Sequence, residues 1–213
     1  MKFIEFYDHF KNFALISLAD IKAIEPSFSS RRLVEWQQKG YLKQLRRGYY
    51  ILSELVADLS ESELFLLANK LYVPSYVSLE TALNRYNFIP EVPFMVTSVT
   101  SRKTQRFETP VGGFSYQSIK PSLLFGYRLQ SLESERLLHQ QYRLALPEKA
   151  LLDYLYLNQS LKSQLDFSLM RFNKQEILAE CNLDLFKELM FRFNSKALTK
   201  RATLFVEWLS QVK

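Results

Sequence analysis

The chain has 213 residues, 47% hydrophobic and 23% charged, an ordinary soluble composition with enough apolar material for one large domain or two small ones. Its formal charge of +6 is too mild to establish a polyanionic partner by itself. A single cysteine, Cys181, excludes intramolecular disulfides and cysteine-based zinc sites and reads as core filler; no apolar run reaches the length of a membrane span. With Glu5 and Asp8 where a secretory signal would be apolar, the expectation is a cytoplasmic protein without membrane association.

Phe3, Phe6, Tyr7 and Phe10 recur at i, i+3, i+4 and i+7, which predicts an amphipathic helix over the first dozen residues. Ser17-Leu18-Ala19-Asp20 resembles a capping box and opens a short second helix, with Leu18 and Ile21 inward, that Pro26 ends. Residues 28–52 then read as a charged helix followed at once by a β-hairpin. Ser29 or Ser30 is placed to cap the helix, Leu33, Val34 and Trp36 form a narrow apolar stripe, and Gly40 suits a left-handed C-terminal cap. At roughly 100° per residue, Arg31, Glu35 and Gln38 point away from Leu33, with Arg32 and Lys39 on the flanks. Residues 41–45 and 49–52 are aromatic and branched, and Arg46-Arg47-Gly48 joins them as a tight turn.

Charge is concentrated in this region. Residues 1–53 hold nine Lys/Arg and five Asp/Glu; residues 54–213 hold nineteen and seventeen. Between positions 27 and 47, Arg31, Arg32, Lys39, Lys43, Arg46 and Arg47 face Glu35 alone, a local footprint for phosphate, with a solvated charged face as the plainer alternative. Glu35 is suited either to accept from a cytosine amine or to orient Arg31 or Arg32. Helix, short helix, basic helix and hairpin is the order of a winged helix-turn-helix, although any three-helix domain with a hairpin shares it. On this reading Ser29, Ser30, Arg31, Arg32, Glu35, Gln38, Lys39, Lys43, Arg46 and Arg47 are the candidate DNA-binding residues.

Residues 53–60 form a connector without flexible-linker composition. Ser60-Glu61-Ser62-Glu63 is a capping box ahead of Leu64, Leu67, Ala68 and Leu71, a helix ending before Pro74. Ser78 caps another, with Leu79, Ala82, Leu83 and Tyr86 on one side. Strands are expected at 94–99, 104–109, 113–119, 123–129 and 137–146, with Gly112-Gly113 as a turn and the sheet mostly antiparallel. Pro147 starts a helix over 148–157, and the remainder is helical; Leu198, Ala202, Phe205 and Leu209, with Trp208 beside them, stripe the last helix. Lys196, Lys200 and Arg201 lie near its start, where cations oppose the helix dipole, and form a candidate functional patch for a partner. The expected fold is α+β in two domains, 1–53 and 54–213.

Catalytic signatures are sparse. His9 and His139 lack ligand-type spacing, so no metal site is expected. Five glycines and no Gly-x-Ser-x-Gly or phosphate loop disfavour a nucleotide-hydrolysing fold, and neither enzyme activity nor a cofactor is expected. A Mg²⁺-dependent nuclease with a DNA-reading domain is the enzymatic alternative, but Asp/Glu-x-Lys occurs only at Asp20-Ile21-Lys22, within the predicted second helix. Glu133 and Glu135 alternate onto one face, as solvated acids of a turn also would. Glu148 suits a positive helix end, while Asp153 lies in an apolar run and calls for a partner across the core, Arg85 or Lys149.

Several segments taken together resemble the AbiEi-type antitoxins of bacterial type IV toxin–antitoxin and abortive-infection systems, and their stand-alone regulator relatives. They are Lys39-Gly40-Tyr41-Leu42, Arg46-Arg47-Gly48-Tyr49-Tyr50, residues 74–83 with Tyr86 and Ile89-Pro90, the strand over 93–100, and residues 145–153. The resemblance spans nearly the whole chain. It implies an N-terminal winged helix that binds promoter inverted repeats and represses its own operon. It also implies a C-terminal domain that counteracts a nucleotidyltransferase toxin without a tight complex; direct antitoxin–toxin binding is the alternative. The DNA role then falls on the helix from Arg31 and on Arg46 and Arg47. Glu148, Lys149 and Asp153 match the family motif without an implied chemical role.

Overall fold

The computed structural model of the protein describes residues 1–132, 134, 137 and 140–211. Its first part is built on aromatic packing. Helix α1 (Phe3–Phe10) buries Phe6 and Phe10 fully, as its spacing predicts, and strand β1 (Ile16–Ser17) leads into α2 (Leu18–Ile24). The capping box forms as expected: the Asp20 amide donates to Ser17 Oγ (3.1 Å) and the Ser17 amide to Asp20 Oδ2 (2.7 Å). Next come α3 (Arg31–Gln38), β2 (Leu42–Arg46) and β3 (Tyr49–Leu52). The Trp36 ring lies 4.8 Å from that of Phe6 and 5.8 Å from that of Phe28, which ties α3 to α1 and to the loop before it. β1, β3 and β2 form an antiparallel sheet in that order. β1, at two residues, is too short to leave an alternation in the sequence.

A 3-10 turn (Ser53–Leu55) connects to α4 (Glu61–Leu71), capped by Ser60 and Glu63 as predicted, then β4 (Ser75–Val77) and α5 (Leu79–Arg85). β5 (Met95–Thr100), β6 (Gln105–Thr109), β7 (Gly112–Ser118), β8 (Tyr127–Ser131) and β9 (Gln141–Ala145) follow. The chain finishes with α6 (Pro147–Leu157), α7 (Gln164–Leu169), α8 (Lys174–Glu180), α9 (Leu183–Arg192) and α10 (Lys196–Ser210). The α+β class stands, and Pro147 takes the first helical position. The stripe Leu198, Ala202, Phe205, Leu209 is buried together with Trp208.

The sheet departs from expectation. Its order is β6-β7-β5-β4-β9-β8, and two of its pairings, β5 with β7 and β4 with β9, are parallel, so it is mixed rather than mostly antiparallel. β6 returns along the outer edge, which sets β5 and β7 side by side in one direction; β4 and β9 meet from far apart in sequence. The expected strand at 123–129 is also displaced. Pro121 starts a 3-10 turn through Leu123, Gly126 turns the chain with φ of 71°, and the strand begins only at Tyr127. Of the strand expected at 137–146, the part from Gln141 to Ala145 forms. Glu133, Glu135 and His139 lie outside the described residues.

The first 53 residues pack against the rest. Gln140 Nε2 donates to the Asn12 carbonyl (2.9 Å), and Asp20 stands near Lys70, opposing the downward pull that burial exerts on that ammonium. Buried apolar side chains form one continuous cluster from Phe6 to Leu209. The hairpin β2–β3 thus lies beside β6, the edge of the larger sheet.

Candidate nucleic-acid interface

Helix α3 is held by its buried side and its ends. Leu33 and Trp36 are buried, whereas Val34, expected in the same stripe, is 55% exposed, because a two-residue stripe this narrow leaves position 34 turned outward. The serine cap also departs from expectation. Ser30 precedes the helix, but with φ −61° and ψ −16° its side chain makes no capping bond; instead the Arg32 and Leu33 amides donate to the Ser29 and Ser30 carbonyls (3.1 Å each). At the other end Gly40 has φ of 74°, its amide donates to the Gln37 carbonyl (3.0 Å), and the Tyr41 amide donates to the Trp36 carbonyl (2.9 Å). That is a Schellman termination, with glycine where an L side chain would be strained.

The outward face carries Arg31, Arg32, Glu35, Gln38 and Lys39, all exposed, with Ser29 and Ser30 beside its start. Glu35 is engaged neither by Arg31 nor by Arg32: it pairs with Lys39 one turn on (2.6 Å), which holds its carboxyl below the usual carboxylate range and raises Lys39 in return. Arg32 Nη1 donates to the Met1 carbonyl. Arg31 and Gln38 carry no such tie among the described contacts.

In the hairpin, Arg46 pairs with Tyr49 and Gln44 with Tyr50, so Leu45 is a bulge residue, and Gly48 takes φ of 80° in the turn. Lys43 and Arg47 are exposed. Arg46 is not free at the tip. Its guanidinium carbon lies 4.0 Å from the Tyr49 ring centroid and 5.3 Å from that of Phe107 on β6, and it is half-buried between the two parts of the chain. Five cations, Arg31, Arg32, Lys39, Lys43 and Arg47, therefore stay exposed along the helix and hairpin, with Glu35 as their acid. Such a surface can neutralise phosphates through its cations and offer Arg31 and Gln38 as hydrogen-bonding groups to base edges.

The patch expected on the last helix divides. Lys196 and Lys200 are exposed, but Arg201 Nε donates to the Leu161 carbonyl (2.8 Å) and Nη1 to the Leu155 carbonyl (2.6 Å) in the last turn of α6. A cation at the negative end of α6 is structural placement.

Among the described residues, the one fully buried charge pair is Lys149 with Asp153. Both have no exposure; Asp153 accepts from Tyr76 (2.8 Å) and Ser78 (2.9 Å), and Lys149 donates to the Tyr76 hydroxyl (2.6 Å) and to Asp153. Burial, opposed by Asp153, draws the Lys149 ammonium below its ordinary value; burial and then Asp153 push the Tyr76 phenol well up. Arg85, the other candidate partner, pairs with Glu61 (3.3 Å) instead, and Glu148 accepts from the Asn182 amide (2.8 Å) before α9. Without exposure this cluster fastens the fold rather than meeting a ligand. Sequence reasoning found Lys149 and Asp153 but missed Tyr76 and Ser78, which reach the pair from more than 70 residues away. Among the described residues, no three His, Cys, Asp or Glu side chains are grouped to hold a metal ion. The chain matches no protein-family model and no curated protein.

Proposed function

We propose that this chain is a DNA-binding transcriptional regulator of antitoxin type, with the first 53 residues acting as a winged helix-turn-helix on promoter inverted repeats and repressing its own operon. The observation that carries the reading is the two-sidedness of α3: Leu33 and Trp36 anchor it, while Arg31, Gln38 and the surrounding cations stay exposed beside the hairpin cations Lys43 and Arg47. The strand order β1-β3-β2 with three helices supports it, since three helices and a hairpin are the parts of which a recognition helix and a wing are made. In this arrangement Lys43, Arg47, Arg32 and Lys39 neutralise phosphates, and Arg31 and Gln38 read bases.

The antitoxin half rests on the family resemblance: the C-terminal part would counteract a nucleotidyltransferase toxin functionally, without a tight complex. Titration of a labelled duplex from upstream of its own gene, at several salt concentrations, tests the DNA half. The expected result is an affinity that falls linearly on logarithmic axes with salt and exceeds that for a scrambled duplex. Equal binding to both duplexes overturns it. Co-expression with a toxic nucleotidyltransferase tests the antitoxin half: growth rescue without co-purification of the two proteins is expected, and no rescue overturns it.

A further inference from the structure

The positive charge of the larger part is not spread over it. Residues 92–132 hold five basic residues and one acid, Glu108, whereas the other residues beyond position 53 hold fourteen basic and sixteen acidic. Topology gathers four of those five cations. β5 and β7 run parallel with Thr100 opposite Ser118, so their carboxyl ends share one end of the sheet, and β6 begins at that end with Gln105 opposite Tyr116. Arg102 and Lys103 in the turn between β5 and β6 and Lys120 just after β7 therefore share one rim, and Arg106, opposite Ser115 on the face away from Phe107, flanks it on the edge strand β6; all four are exposed. Glu108 lies toward the far end of β6, opposite Gly113.

The rim is held in place. The Ser118 amide donates to Thr104 Oγ1 (3.1 Å), the Ile119 amide to the Thr100 carbonyl (2.8 Å), the Arg102 amide to Thr100 Oγ1 (3.1 Å), and the Tyr72 hydroxyl to the Lys103 carbonyl (3.1 Å). It also adjoins the hairpin through an unbroken run of rings and guanidinium groups. Arg102 lies 4.7 Å over Tyr72, Tyr72 stands edge-on to Phe107 (5.8 Å), and Phe107 is covered by Arg46, whose neighbour in the chain is the exposed Arg47.

From this juxtaposition we infer that Arg102, Lys103, Arg106 and Lys120 form a second phosphate-binding patch, which grips the backbone of the same DNA duplex beyond the segment met by α3 and the hairpin. The inference rests on the DNA-binding reading above. Charge complementarity names the occupant: duplex DNA presents phosphates at regular spacing past the bases being read, and a fixed row of cations beside the wing meets them without reading sequence. The patch lengthens the footprint and contributes equally on any sequence.

The test compares wild type with K103Q/K120Q and, separately, R106Q, each confirmed folded by thermal melting, on the upstream duplex and on a scrambled duplex of equal length across a salt series. The expected result for K103Q/K120Q is a slope of log affinity against log salt shallower by about 2, with binding weakened at least about tenfold near 0.1 M salt on both duplexes. R106Q should lower the slope by about 1. Wild-type protein that binds with a slope unchanged in both variants overturns the patch while leaving the DNA reading intact. Wild-type protein that binds no duplex overturns the DNA reading and the patch with it.

Discussion

Arg46 and Phe107, sixty-one positions apart, meet across the boundary between the two sheets, the guanidinium carbon 5.3 Å from the ring centroid. An arginine that sequence alone sets at the tip of a wing is thereby turned toward the larger sheet, while Arg47 takes the solvent. The two neighbours should separate cleanly on mutation. R46A should lower stability by about 1 kcal/mol, and a double-mutant cycle with F107A in urea unfolding should give a coupling of roughly 0.5–1 kcal/mol. R47Q should leave the unfolding midpoint alone and reduce the salt dependence of DNA affinity. A midpoint shift for R47Q with none for R46A would reverse the assignment.

Removing one partner of the Lys149–Asp153 pair leaves an uncompensated buried charge. D153A should therefore cost about 3–5 kcal/mol in chemical denaturation, and K149M a similar amount. The doubly apolar K149M/D153L should recover much of the loss, because neither charge then remains to be desolvated. A double variant as unstable as the worse single one would mean that the surrounding hydroxyls of Tyr76 and Ser78 need the carboxylate more than the core needs to be dry.

Helix capping gives a paired prediction. S17A and S60A each remove a formed capping bond and should cost about 1 kcal/mol. S30A removes none, and its unfolding midpoint should match wild type. Equal losses for Ser17 and Ser30 would show that the entry to α3 is capped in solution after all.

Alkaline pH should destabilise the protein steeply. Burial pushes Tyr86, whose hydroxyl donates to the Ala145 carbonyl (2.7 Å), and Tyr154 up to about 12, and raises Tyr76 well above its ordinary value. A phenol whose folded value lies above its unfolded value near 10 contributes stability that is fully present below about pH 10 and is lost as pH climbs toward 12. Each of Tyr86 and Tyr154 should account for on the order of 2 kcal/mol across that window. Urea midpoints measured from pH 9 to pH 12 should fall, and Y86F should flatten the fall.

Cys181 is 8% exposed, and burial, reinforced by Glu148 and Glu180, raises its thiol well above the ordinary range. A thiol reagent at pH 8 should label it only once denaturant unfolds the chain. Rapid labelling of the native protein would contradict its placement in the core.

Local signals were the legible ones. The i, i+3, i+4, i+7 spacing of Phe3, Phe6, Tyr7 and Phe10, the capping boxes at Ser17 and Ser60, the stop at Gly40 and the turn at Gly48 all act within a few residues and all formed. What escaped depends on distant partners. β4 is three residues between Pro74 and the start of α5, too short for alternation to mark it, and its parallel neighbour β9 lies more than 60 residues away. Ser78 looks like a helix cap, yet its hydroxyl serves Asp153. In the candidate interface the exposed face of α3 was readable from periodicity, whereas the stacking of Arg46 and the pairing of Glu35 with Lys39 rather than with an arginine were not. The rim around Arg102 was diluted by averaging charge over the whole region beyond position 53.

Among the described residues β4 bridges β5 on one side and β9 on the other, so the two halves of the larger sheet are joined through Ser75, Tyr76 and Val77. Tyr76 and the adjoining Ser78 are also the residues that grip Asp153, on the helix that leaves β9. Parting the sheet along this line would strand a lysine and a carboxylate in the same motion, so the amides of β4 should exchange with solvent only when the whole molecule unfolds. The shortest strand described in the larger sheet is thereby strongly latched, and the edge that carries the Arg102 rim is anchored through it to the C-terminal helices.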